Sequence, residues 1–118
     1  VTRGDEQPVA DMLEVAAQIA QLVQRGRDAF DGDIAVRFAL ERLLEILGEA
    51  AGAMAAATQE QFPDVAWRDI SRLRIVLAHH YHRVDPEQIW SMATRDVPNL
   101  ASALRRGKTG EGSPGLNG

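Results

Sequence analysis

An all-α fold follows from three features of the 118-residue chain. Apolar residues recur at i, i+3, i+4 and i+7 over long stretches, and no segment alternates apolar and polar residues as a half-buried strand does. Pro, Gly and Asp cluster at the boundaries between the periodic stretches. The expected architecture is a bundle of four main helices plus a short C-terminal helix.

The first helix carries Val9, Met12, Leu13, Ala16, Ile19, Ala20 and Val23 on one stripe, with Pro8 in its first turn and Gly26 near its end. Arg27 to Asp31 reads as a polar connection. The second helix is expected from Ile34 to about Ala57, with Val36, Leu40, Leu43, Leu44, Leu47, Ala50, Ala51 and Met54 forming a stripe wide enough to make it the central element. Its small residues (Gly48, Ala50, Ala51, Gly52, Ala53) allow another helix to approach closely. After the Phe62-Pro63-Asp64 break, a third helix over about Val65 to Tyr81 buries Trp67, Ile70, Leu73, Val76 and Leu77. Asp85 is the N-cap of a fourth, with Pro86 at its first position, Gln88 completing a capping box, and Ile89 and Trp90 turned inward. Asp96-Val97-Pro98 opens the last short helix, to about Arg106. From Gly107 onward five of twelve residues are Gly, a composition that buries little, so the folded domain is expected over 1–106 and a disordered tail over 107–118. Met12, Met54 and Met92 read as core filler, and Trp67 and Trp90 as helix anchors.

Composition narrows the function classes. No stretch approaches the roughly 18 apolar residues of a membrane span, and the first eight residues are too polar for a signal peptide, so a soluble, cytoplasmic protein without membrane contact is expected. The absence of Cys leaves no disulfide framework and no thiolate zinc site. A net charge of -4 argues against a general nucleic-acid coat. The charge is unevenly spread: residues 1–64 carry 5 Arg/Lys against 12 Asp/Glu, whereas residues 65–118 carry 8 against 5. Arg68, Arg72, Arg74 and Arg83 crowd one short stretch, as a local phosphate site on an acidic body requires; ordinary charge scatter on a solvated helix face is the plainer alternative.

That stretch also holds all three histidines (His79, His80, His82) and the sole tyrosine, Tyr81. Cleavage of RNA without a metal needs a base for the 2′-hydroxyl proton, an acid for the leaving 5′-oxygen and a cation for the charge that develops on phosphorus. His79 suits either proton transfer, because imidazole titrates near neutral pH. Arg74 suits the third task, because a guanidinium stays charged and grips phosphate with paired donors. Tyr81, which suits positioning of the phosphate or the base, lies seven positions from Arg74 and shares its helix face, as His79 does that of Arg72. Arg74 and His79 stand five positions and therefore about 140° apart. A joint role needs the Arg side chain to wrap, the helix to end near His79, or a second subunit to bring its own copy across a two-fold axis. An Arg and a His near a helix end also serve as partners of the helix dipole. His79, His82 and Asp85 follow one another at three-residue spacing, but without a further ligand motif they are read as no metal site.

The ordered set of motifs resembles the HepT-like toxins of the HEPN superfamily over roughly residues 8–105. Arg74, His79 and Tyr81 match that family's Arg-x4-His-x-Tyr motif. Leu47-Gly48-Glu49-Ala50-Ala51 is similar to its Ile-Gly-Glu-Ala segment, and Pro63-x3-Trp67-x2-Ile70 to its approach to the motif. Val84-Asp85, Ile89-Trp90 and Asp96-Val97-Pro98-x-Leu100 match its closing pattern. The resemblance implies a HEPN-type antiparallel bundle and a homodimeric endoribonuclease toxin that needs no cofactor, with transfer RNA as the leading substrate and a composite site at the dimer cleft. It further implies an MntA-like nucleotidyltransferase antitoxin that attaches AMP to Tyr81. One departure stands out: many relatives carry a polar residue, commonly Asn, after the motif Arg, where this chain has Ile75. Ile cannot hydrogen-bond an imidazole, which leaves Arg72 or His82 as supporting groups. Two other readings compete with an RNase toxin: a catalytically weak member that mainly binds its nucleotidyltransferase, and a helical adaptor with no nucleic-acid role.

Overall fold

The structure, a computed structural model, describes the backbone of residues 3–79 and 85–112 and the side chains of residues 6–77 and 85–107. Every regular element among them is helical: α1 (Arg3–Val23), α2 (Arg27–Gly32), α3 (Ile34–Gly52), α4 (Ala56–Gln61), α5 (Trp67–Ser71), α6 (Leu73–His79), α7 (Pro86–Ser91), a π turn (Met92–Asp96) and α8 (Val97–Gly112). No helix among the described residues is long and apolar enough to cross a membrane.

The wide stripe on α3 does what its width demands. Leu40, Leu44 and Leu47 are fully buried, and α3 packs against α1, α2, α5 and α6, while α1 also packs against α8 and the π turn. Met12 and Ile19 of α1, Ile89 of α7 and Leu104 of α8 complete the fully buried aliphatic core. Burying each of these side chains contributes on the order of 1.5–3 kcal/mol. Met12, Met54 and Met92 are buried, as core filler must be. The Asp33 carboxylate caps α3 by accepting from the Ala35 N–H at 2.9 Å, and the Asp85 carboxylate caps α7 by accepting from the Glu87 N–H at 3.0 Å. The second bond of the expected capping box, from the Gln88 side chain, is not made among the described residues.

Several boundaries differ from the sequence reading, each for a tertiary reason. Arg27 to Asp31 is helical rather than a connection, because Phe30 is drawn into the core at 1% exposure; the chain enters α2 through Gly26 at φ +93°, a conformation only glycine adopts without strain. The second helix stops at Gly52, short of Ala57, and the chain re-forms one turn as α4. Trp67 closes that turn, its indole N–H shared between the Gln59 carbonyl at 3.2 Å and the Phe62 carbonyl at 3.1 Å. The third helix is broken at Arg72 into α5 and α6.

The fourth and last helices, expected to be separate, run on through the π turn. The Val97 N–H reaches back five residues to the Met92 carbonyl, a wider turn placed just before Pro98, which has no N–H to give. The last helix also continues past Arg106 to Gly112. Gly107 lies against the Phe62 ring so closely that a Cβ there would stand 2.2 Å from a ring carbon; it is a packing residue, which its place in a Gly-rich segment conceals. The remainder of the expected tail, residues 113–118, lies outside the described residues.

Arg27 ties α2 to α7. Its guanidinium donates to both Glu87 carboxylate oxygens at 3.1 and 2.8 Å and to Asp31 at 2.9 Å, and it stands 5.6 and 5.9 Å from the ring centroids of Phe30 and Trp90, which are themselves 5.3 Å apart. The hydrogen bonds from Arg27 hold the Glu87 carboxyl below the usual glutamate range, and those from Glu87 and then Asp31 raise the Arg27 value. A lowered carboxyl value means a contribution that is present above the unfolded glutamate range and lost as the pH falls through the lowered one. Glu87→Gln is therefore expected to melt earlier than the parent at neutral pH, with the gap closing in acid. Melting curves across that range check it, and equal midpoints at pH 7 would count against the clamp.

Candidate active site on α6

Two helices of the core create this site. Ile70 and Leu73 are buried and fix α5 and the start of α6 against α3, which leaves Arg74, the second residue of α6, on the surface. At Gly48 the two backbones nearly touch. A Cβ on Gly48 would stand 2.7 Å from the Arg74 backbone nitrogen, 3.1 Å from the Ile70 carbonyl oxygen and 3.2 Å from the Leu73 Cβ. One turn further along α3, the Arg74 guanidinium lies over Gly52, where a Cβ would stand 3.6 Å from its central carbon and 3.7 Å from a terminal nitrogen. The small-residue face of the second helix thus receives the backbone and the head group of the motif arginine.

Arg74 is exposed, and no carboxylate among the described residues forms an ion pair with it. Arg27, Arg37, Arg42 and Arg106 each face an acidic partner within 3.4 Å. A cation left without an internal counter-charge on a fixed backbone is available to an external anion, and a guanidinium offers a phosphate two parallel donors.

Arg74 and His79 lie on one helix, since α6 keeps its register from Leu73 to His79. Their five-residue separation therefore stays at about 140°. The His79 side chain and the whole of His80, Tyr81 and His82 lie outside the described residues.

Arg72 is not brought to Arg74. It sits at the α5–α6 joint, where its carbonyl accepts from both the Ile75 and Val76 N–H groups at 3.0 Å. Its side chain is 3.7 Å from Asp69 and lines a groove of about 370 Å³ with Val76, Gln88 and Ser91, on the α7 side of the helix, whereas Arg74 lies on the α3 side. Ile75 is 50% exposed, one turn before His79, so the position after the motif arginine presents an apolar side chain to solvent. Ile34 and Phe38 of α3 are also large, apolar and exposed, at 66% and 59%. Sequence reasoning passed over this pair, although their four-residue spacing off the buried stripe of Val36 and Leu40 was a usable signal.

Known proteins resemble this chain over most of its length. The family profile described as ribonuclease HepT-like matches residues 12–106. The chain is 32% identical over 101 residues to the "Probable ribonuclease HepT" of Thermococcus cleftensis, covering 81% of this chain and 92% of that protein. It is also 32% identical over 91 residues to a "Putative RNase" of Methanocaldococcus jannaschii, covering 76% of this chain and 84% of the other. No solved structure matches. The matched span takes in the core helices, the Gly48 crossing and the whole histidine patch, and the chain belongs to the HepT-like ribonuclease family.

Proposed function

We propose that the chain is a metal-independent endoribonuclease toxin, with Arg74 and His79 as its catalytic pair. The observation that carries this reading is the Arg74 guanidinium, seated over Gly52 and without an acidic partner among the described residues. Arg74 neutralises the charge that develops on the scissile phosphate, and His79 transfers the proton of the attacking 2′-hydroxyl or of the leaving 5′-oxygen. Transfer RNA is the proposed substrate. The 140° between the two residues supports a homodimer, in which a two-fold axis brings Arg74 of one protomer and His79 of the other to one cleft. An MntA-like nucleotidyltransferase is the proposed antitoxin, acting at Tyr81, with Arg72 and His82 as supporting groups in the cleft.

The exposed apolar side chain of Ile75 favours a second reading, a catalytically weak member whose main role is to bind that nucleotidyltransferase. Expression separates the two. A toxin expressed without its antitoxin arrests growth and leaves cleaved RNA, whereas the weak binder leaves growth and RNA unchanged. Sedimentation tests the composite site: a dimer is expected at micromolar concentration, and a monomer that still cleaves RNA would overturn the two-fold arrangement.

A further inference from the structure

The crossing of α3 and α6 does more than close the core. Gly48 is buried and Gly52 exposed, one turn apart on the same helix face, and the two face different parts of a single residue. A Cβ on Gly48 would meet the Arg74 backbone nitrogen at 2.7 Å, and a Cβ on Gly52 would reach the Arg74 guanidinium at 3.6 Å. The close approach at Gly48 sets where the side chain starts. At Gly52 the bare α-carbon leaves the planar group room beside the helix, which a side chain longer than a methyl group would take.

We infer that Gly48 and Gly52 form a seat that positions Arg74 for RNA cleavage, so that both are positioning residues of the reaction. The inference rests on the proposed catalytic role of Arg74. Its physical basis is the intolerance of that role to displacement: a guanidinium stabilises the developing charge only if its donors already point at the phosphate oxygens. At position 48 the space for a Cβ is closed on the motif side by backbone, a nitrogen at 2.7 Å and a carbonyl oxygen at 3.1 Å. Neither is the flexible end of a side chain. Even a methyl group there moves α6 as a unit and carries Arg74 with it. At position 52 a Cβ makes ordinary contact with the guanidinium, and only a longer side chain pushes the head group off its rest.

The test is a mutant cycle on the purified full chain, with cleavage of a transfer RNA as readout and far-UV circular dichroism as the control for folding. Gly48→Ala is expected to lower kcat on the order of 10²-fold, the size of effect that a misplacement of about 1 Å produces, while leaving KM within a few-fold. In the Arg74→Ala background the same substitution should cost less, because there is no longer a guanidinium to misplace and only the displacement of His79 on the same helix remains. That non-additivity is the signature of positioning. A Gly48→Ala penalty that persists undiminished in Arg74→Ala overturns the seat. Gly52→Leu provides a variant that leaves the backbone crossing alone; a folded protein with kcat lowered on the order of 10-fold is expected, and it carries the test by itself if Gly48→Ala does not fold. Parental activity in folded Gly48→Ala or in Gly52→Leu, with activity lost in Arg74→Ala, overturns the seat alone. Parental activity in Arg74→Ala overturns the catalytic assignment on which it rests.

Discussion

Arg74→Ala and His79→Ala are each expected to lower RNA cleavage by on the order of 10²–10⁴-fold while leaving helix content unchanged. The arginine variant removes the only group proposed to face the charge on phosphorus. Its side chain is exposed and its ion-pair partners are absent among the described residues, so truncation leaves no buried charge behind and the core has no reason to respond. The histidine variant removes the proton carrier. His80→Ala serves as the control, because the motif assigns no role to His80. The measurement is cleavage of a labelled transfer RNA in the presence of a chelator, with circular dichroism of each variant. A folded Arg74→Ala or His79→Ala protein that cuts at the parental rate would remove that residue from the site.

Lysine at position 74 sharpens the same test. It keeps the positive charge and loses the planar fork, so a point charge replaces paired donors at a phosphate. Arg74→Lys should recover part of the rate if charge alone matters and little of it if orientation matters. The proposed seat at Gly48 and Gly52 predicts the second outcome, since a group needing only charge needs no seat.

The helices were legible in the sequence wherever a periodic stripe met a strong boundary. The stripe from Val36 to Leu47 identifies α3 as central because only a helix touched from several sides needs so wide an apolar face. Asp85-Pro86 fixes the start of α7 because a carboxylate cap and a residue with no N–H act within one turn and need no tertiary partner. What escaped were elements that depend on distant contacts. Phe30 makes a helix of Arg27 to Gly32 only because Trp90 and the core receive its ring. Pro98 reads locally as a helix start, but the π turn before it absorbs the missing hydrogen bond and α7 runs on into α8. Gly107 reads as tail composition, and its packing against Phe62 across 45 residues has no local signature.

The site divides in the same way. Arg74 and His79 stand out in the sequence as candidates because the proposed chemistry demands those residue types and the motif supplies them in order. The small residues of α3 were visible as a close-packing face, yet nothing in their spacing tells which helix arrives there. Arg72 stands at the α5–α6 break itself, and its side chain lines the groove beside Gln88 and Ser91, neighbours from α7 that no spacing along the chain identifies.

Regulation yields an all-or-none expectation. A cognate nucleotidyltransferase supplied with ATP and Mg²⁺ is expected to add AMP to the Tyr81 hydroxyl, forming a phosphodiester to the phenolic oxygen and releasing pyrophosphate, and RNA cleavage should then cease. Each added AMP brings about one negative charge and a nucleotide into the region of the motif, where Arg74 offers a cation without an acidic partner among the described residues. The adduct competes with RNA phosphate for that cation, so inhibition should weaken in Arg74→Lys, which holds a phosphate less specifically. Tyr81→Phe keeps the ring and removes the acceptor oxygen; it should escape modification and remain toxic in the presence of the antitoxin. Intact-mass measurement after co-expression checks the first part: additions of AMP mass on Tyr81→Phe equal to those on the parent would place the modified residue elsewhere. Growth checks the second. If Tyr81→Phe goes unmodified but is still silenced, the antitoxin acts by binding alone, and the exposed apolar side chains of Ile34, Phe38 and Ile75 become the first places to seek its contact.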